Sequence, residues 1–428
     1  MKNVFWFVLS TFFIVGIISC KKEINSPNFS KNEFFKINDS FPDDEYFVPK
    51  LEIIEIAKKY TENVFKYGIV DNKVNRGVSN SYVIPDRYGK AAFYVINYSN
   101  NEGVIIFSAD FRFEPIVYFS NSGNINSGDT IPNSFNNILD VYKRKIEDLR
   151  YDRDGIDSQN YNLQLLVAYD AWNYLDNIFN HCCLTLMPYP SPWEEYDPCI
   201  GYTYPPPYIV NPLISTLWEQ DGAYNLLCPE KNCNGNIKRV DVGCVGVAVA
   251  QVVRYVEPIT NFNYNYSQMY NNLPYSPIQD GHRLLADAYA LTNIITACDY
   301  TFSITTRAKS VLKNNFNIHS VKRDGTISSN SLSVKDRLRT QVENGKPVIL
   351  GGTTNFKILA PLNVFNNAHS WILDGYRHEQ YCTFTTSYFH MNWGWGDFPG
   401  WCLWNNWLPY GEDEAYELAL SMVYDIVK

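Results

Sequence analysis

Apolar residues recur at helical spacing from Leu51 to Lys66, where Ile53, Ile54, Ile56, Ala57 and Tyr60 mark one face. The spacing changes over 91–123 to alternation between apolar and polar positions, broken by Asn/Gly/Ser turns, which predicts several antiparallel strands joined by hairpins. Ile138 to Leu149 and Asn162 to Phe179 return to helical spacing, so 46–185 reads as one α+β unit. Residues 186–212 carry eight prolines and no periodicity, as a linker or processing segment would. The remainder, 213–428, starts with helical signals at 240–256, 281–298 and 333–344. It ends with strand signals at 347–352, 369–377, 382–393 and 400–404. Helices first and strands after is an α+β order rather than an alternating βαβ one.

The N-terminus changes the picture. Lys2 precedes an apolar stretch from Val4 to Ile18 that ends Ile17-Ile18-Ser19-Cys20, followed by Lys21, Lys22 and Glu23. The stretch is short for a membrane span and reads as an export signal over 1–20. Its end resembles a bacterial lipobox, which implies acylation of Cys20; a plain signal peptide with an incidental cysteine is the alternative. Residues 21–45 are polar and suit a flexible tether. The expected location is therefore the cell envelope, with the acyl group as the membrane anchor. A net charge of -9 and the lack of a Lys/Arg stripe argue against a nucleic-acid partner.

There are ten cysteines, and setting Cys20 aside leaves an odd number in a compartment where disulfides form. One unpaired, reactive thiol would restore parity. Gly243-Cys244 opens the small and apolar run VGCVGVAVAQVVRYVEP, which places a sulfur at a helix N-terminus. The macrodipole and unpaired N–H groups there favour thiolate over thiol. The alternative is an inert cysteine in a core helix. His369, in NNAHSWILDGY, begins an alternating strand and can act as base. Asn392, in HMNWGWGD, offers a side-chain carbonyl to orient the imidazole, and Trp393 could cover the pair from water. Gln220, in LWEQDGAYNLLCP, could donate to an oxyanion together with the Cys244 backbone N–H. The Cys-to-His separation falls just short of the roughly 130–150 residues of papain relatives.

The strings GCVGVAVAQVVRY, AHSWILDGY and HMNWGWGD resemble the catalytic segments of the streptopain family of papain-like cysteine proteases. FYVINYSNNEGVIIFSADFRFEPIVYFSNSG is similar to that family's propeptide, which is related to a dedicated inhibitor domain. The resemblance covers about 46–410. It implies an α+β prodomain (46–185) before a papain-like domain (213–428) with a helical subdomain and an antiparallel β subdomain. It implies Cys244 as nucleophile, His369 as base, Asn392 as orienter, Trp393 as shield and Gln220 as oxyanion donor. Substrates would be proteins or peptides, the prodomain an intramolecular inhibitor, and no metal or cofactor would be needed.

Other residues read more plainly. Cys182, Cys183, Cys199, Cys228 and Cys233 lack the paired gaps of a zinc site and suggest disulfides or buried thiols. His390 shares a strand face with Asn392 and reads as structural rather than as a second base. The Tyr/Asn-rich stretch 261–275 reads as a surface loop. A catalytically silent surface lipoprotein of the same fold, or a transglutaminase-like acyltransferase, would carry much of the same pattern.

Overall fold

The computed structural model describes residues 17–21, 44–60, 76–129, 133–152, 158–178, 203, 205–292, 295–298, 300–319, 321–327, 332–352, 355–359, 362–366, 369–382, 385–396, 399–404 and 420–428. Expectations for the rest of the N-terminal segment, for 61–66, for most of the proline-rich segment and for Cys182, Cys183 and Cys199 fall outside these residues.

Strand β1 (Ile17–Lys21) pairs with strands far along the chain, described below. Helix α1 (Lys50–Lys59) starts after Pro49, with Glu52 in its first turn and Lys58 and Lys59 in its last, as the macrodipole favours. The strands β2 (Val78–Pro85), β3 (Ala91–Tyr98), β4 (Val104–Ser108) and β5 (Ile116–Ser120) form an antiparallel meander. Helices α2 (Asn133–Tyr151) and α3 (Ser158–Ile178) complete the first unit. Arg150 of α2 bonds to Asp110 and Asp86 at 2.7 and 3.0 Å, and Arg112 reaches Asp110 at 2.8 Å. These buried charges pin α2 to the sheet because each guanidinium has a carboxylate partner; losing one partner would strand the other.

The second unit contains β6 (Tyr208–Val210), the hairpin β7 (Glu230–Cys233) and β8 (Asn236–Arg239), and the central helix α4 (Cys244–Val256). Next come α5 (Asp280–Thr292), β9 (Ile295–Thr296), β10 (Tyr300–Phe302), α6 (Arg307–Asn314), β11 (Lys322–Ile327) and α7 (Leu332–Glu343). The strands β12 (Val348–Gly352), β13 (Asn355–Leu359), β14 (Leu362–Asn366), β15 (His369–Gln380), β16 (Thr385–Asn392), β17 (Gly400–Trp404) and β18 (Leu420–Tyr424) close the chain. A small sheet runs β13-β14-β1-β10-β9, in which Ile17–Lys21 lies parallel to β14 and antiparallel to β10.

The large sheet runs β11-β18-β12-β15-β16-β17-β5-β4-β3-β2, with β6 on β15. It crosses from one unit into the other at β17–β5, where Trp401 faces Phe119 and Cys402 faces Tyr118. Alternation decides which core each residue serves. Ile349, Ile372 and Val423 pack with the valines of α4, whereas Val348, Leu350, Trp371, Leu373 and Met422 share a core with the first unit. Both faces of the central strands are therefore buried only while the first unit is in place.

The boundary between units differs from the one read in the sequence. Tyr208–Val210 pairs with β15, the Leu213 N–H donates to the Asp374 carbonyl at 3.0 Å, and the Ile214 N–H donates to its carboxylate at 2.8 Å. Residues 208–214 thus belong to the second unit. Prolines had masked a segment that pairs through β15's free edge rather than through its own periodicity.

Candidate active site

Cys244 is the first residue of α4 and follows Gly243, whose φ of 81° ends the incoming loop and lets the helix begin without a side-chain cap. The positive end of the helix therefore lies at Cys244 itself. Val242 donates its N–H to the Gln220 carbonyl at 2.8 Å, so the Gln220 segment runs beside the loop that leads into Cys244. The Gln220 side chain is half-buried and makes no hydrogen bond to a described residue.

His369 opens β15, opposite Gly352, and its Nε2 lies 2.8 Å from the Trp393 backbone carbonyl. A carbonyl can only accept, so that nitrogen carries the proton and Nδ1 is left for the cleft. The Trp395 indole N–H also faces this Nε2, at 3.1 Å, but can donate only to a bare nitrogen; the shorter carbonyl contact prevails and leaves the indole bond unmade. His369 is 5% exposed, and burial pushes its imidazole down to about 4, against the upward pull of the Trp393 carbonyl.

Asn392 does not make the contact the sequence reading gave it. Its Oδ1 accepts from the Gln251 side chain and the Gly394 N–H, both at 3.2 Å, and its Nδ2 donates to the Thr216 carbonyl at 2.8 Å. The imidazole is oriented by the next residue's backbone instead, because β16 ends at Asn392 and the chain turns there through Gly394 and Gly396, both at positive φ. A Cβ on Gly394 would stand 3.1 Å from Val247, which sets this turn against the first turn of α4. The elements carrying Cys244, His369 and Gln220 therefore meet around the 393–396 turn.

Trp393 packs between Trp371 and Phe135 with its ring tilted against both, centroids 5.4 and 6.1 Å away, and its buried N–H has no acceptor among the described residues. The shield thus faces the first unit, while Trp371 and Trp395 flank the imidazole at 6.2 and 5.9 Å. Gln251, Thr216 and Trp395 were missed in the sequence. Gln251 had a signal, as the one strongly polar residue within VGVAVAQVV and on the Cys244 face by helical spacing.

The sulfurs divide clearly. Cys244 is 2% exposed. Cys233 and Cys298 are bridged. Cys228 and Cys402 are buried thiols, and desolvation pushes Cys228 up to about 12 and Cys402 further, which makes both inert. His390 holds Asp374 at 2.6 Å, and the same carboxylate caps Ile214, a structural arrangement. His282 is likewise held between the Gln279 N–H and the Pro274 carbonyl.

The first unit is bonded to the chain on either side of the 393–396 turn. Ser120 donates to the Pro399 carbonyl at 2.7 Å, Tyr142 to the Leu403 carbonyl, and Tyr388 to the Ile116 carbonyl at 3.4 Å.

Comparison with known proteins gives the same two units. Residues 218–401 match the peptidase C10 family, and residues 54–146 match the Spi protease inhibitor family. A solved prointerpain A fragment from Prevotella intermedia aligns with a TM-score of 0.50 at 16% identity, over 82% of this chain and 99% of that one. Active interpain A from the same organism aligns with a TM-score of 0.39 at 20% identity, over 51% of this chain and 96% of that one. No curated protein matches.

Proposed function

We propose that this chain, a cysteine peptidase of the peptidase C10 (streptopain) family made as a zymogen with its own inhibitor domain, works at the cell envelope on protein or peptide substrates. The apolar N-terminus would direct export, and acylated Cys20 would hold the protein to the membrane. The observation that carries the site assignment is the meeting of three elements at one turn: the Trp393 carbonyl on His369, Gly394 against the Cys244 helix, and Asn392 on the Gln220 segment.

The chemistry follows from those positions. The Cys244 thiolate attacks the substrate carbonyl, and the helix N-terminus stabilises the charge on sulfur. A thiolate beside His369 also restores the proton that burial alone removes from the ring. The Cys244 backbone N–H and the Gln220 amide donate to the oxyanion. His369 protonates the leaving amine, a thioester remains on Cys244, and the same imidazole then takes a proton from the water that hydrolyses it. Trp393's carbonyl keeps Nε2–H fixed through both steps. Because residues 208–214 are held by β15 and Asp374, the prodomain would be released by a cut before Tyr208, within 186–207.

The test is a peptide library assayed in reductant with the parent chain and with Cys244→Ala. Turnover should vanish in the variant while its circular dichroism stays that of the parent, since a single sulfur is lost. Hydrolysis retained by Cys244→Ala overturns the assignment.

A further inference from the structure

Gln251 lies seven residues after Cys244 on α4, so both occupy one helix face, and its side chain is fully sealed from solvent. We propose that Gln251 is a positioning residue: through a reciprocal carboxamide pair with Asn392, it sets the imidazole's acceptor and the oxyanion segment relative to the nucleophile helix. The proposal rests on the peptidase assignment above.

Its Oε1 accepts from the Thr216 hydroxyl at 3.0 Å, the Trp218 N–H at 3.2 Å and the Asn392 Nδ2 at 3.3 Å. Its Nε2 donates to the Asn392 Oδ1 at 3.2 Å. Groups of fixed sense force these orientations: a backbone N–H from Trp218 demands an oxygen on Gln251. The Thr216 carbonyl demands the amide nitrogen of Asn392, and the Gly394 N–H demands its oxygen. Neither amide can turn over without setting like against like.

Three pieces of the site thereby share one buried joint. Thr216 and Trp218 lead directly into Gln220. Asn392 holds the Gly394 N–H, and the peptide between them presents the Trp393 carbonyl to His369. Gln251 itself is rigidly tied to Cys244 by two turns of helix. A displacement on the order of 1 Å of such groups costs about 10²-fold in rate.

The experiment uses the full chain, matured by a tagged parent enzyme that is then removed, reduced and counted by active-site titration. Gln251→Met keeps the volume and loses the amide; its kcat should fall about 10- to 100-fold with KM within about twofold. Gln251→Glu gives a sharper readout. Protonated, the carboxyl can donate to Asn392 Oδ1 and accept from Trp218; ionised, it cannot donate. Its kcat should approach the parent's at acid pH and fall as pH rises through an ionisation the parent lacks. The direct partners Thr216, Trp218 and Asn392 do not titrate. Glu219, Asp374, His369 and His390 on the surrounding elements do, but equally in parent and variant. Val252→Ala, a buried apolar change on the same helix, should lower Tm without altering the pH profile. Gln251 variants that follow Val252→Ala, losing Tm but keeping the parent's kcat and pH profile, overturn the inference. If Gln251→Met does not fold, the profile of Gln251→Glu decides alone. Cleavage surviving in Cys244→Ala would instead remove the enzyme assignment beneath it.

Discussion

Gly400 sits at the seam where the sheet passes from the peptidase unit to the inhibitor unit. A Cβ built there would meet Tyr118 of β5 first, at its hydroxyl and ring, more than about 1 Å inside the ~3.5 Å optimum for carbon contact. Tyr118 is fully buried, so its ring has no free direction in which to retreat. Gly400→Ala should therefore cost what overpacking a core costs, about 1–3 kcal/mol. The three nearest atoms to the new methyl all belong to the inhibitor unit, so the cost falls on the zymogen and spares the matured enzyme. Converted at 1.4 kcal/mol per decade, the population with the seam open rises roughly 5- to 150-fold. The assay is the first-order rate of maturation of purified zymogen after addition of reductant, followed by kcat/KM of the product. Maturation should quicken by that factor while kcat/KM of the product stays at the parent value. Tyr118→Ala removes the obstacle at its source, so adding Gly400→Ala to it should change nothing further, a non-additive pair. An unchanged maturation rate in Gly400→Ala, or equal damage to zymogen and product, refutes the seam as the latch.

Two further outcomes follow from the titrating groups. The buried His369 imidazole sits at about 4 against about 6.5 in the unfolded chain, so between those values the unfolded state holds the extra proton. Stability from this group is complete above about pH 6.5 and is lost as pH falls toward 4, by about 3 kcal/mol; urea unfolding of the unreduced chain should show that loss in the parent and not in His369→Gln. Equal acid sensitivity in both proteins would remove His369 as its source. Iodoacetamide should leave Cys228 and Cys402 untouched until denaturation, because burial keeps those two thiols protonated. Peptide mapping that finds Cys402 alkylated in folded zymogen would contradict its burial.

The local pattern settled a good deal before any contact was known. Small and apolar spacing after Gly243 placed Cys244 at a helix start, because a helix's first residue is a local property of the chain. Alternation gave β3, β4, β5, β15, β16 and β17 for the same reason, and the quoted motifs pointed to the family. What the chain could not reveal was which groups face each other across long separations. Asn392 and Trp393 are neighbours in sequence, yet one turns toward the Cys244 helix and the other lends its carbonyl to His369, a choice made by the glycines that bend the chain after β16. Gln251 gained its role only when α4 packed against the 216–218 segment and the end of β16, since a buried amide must find partners wherever packing leaves them. The same holds for residues 208–214 and for Gly400: edge pairing and close approach are properties of two strands together, and neither strand carries them alone.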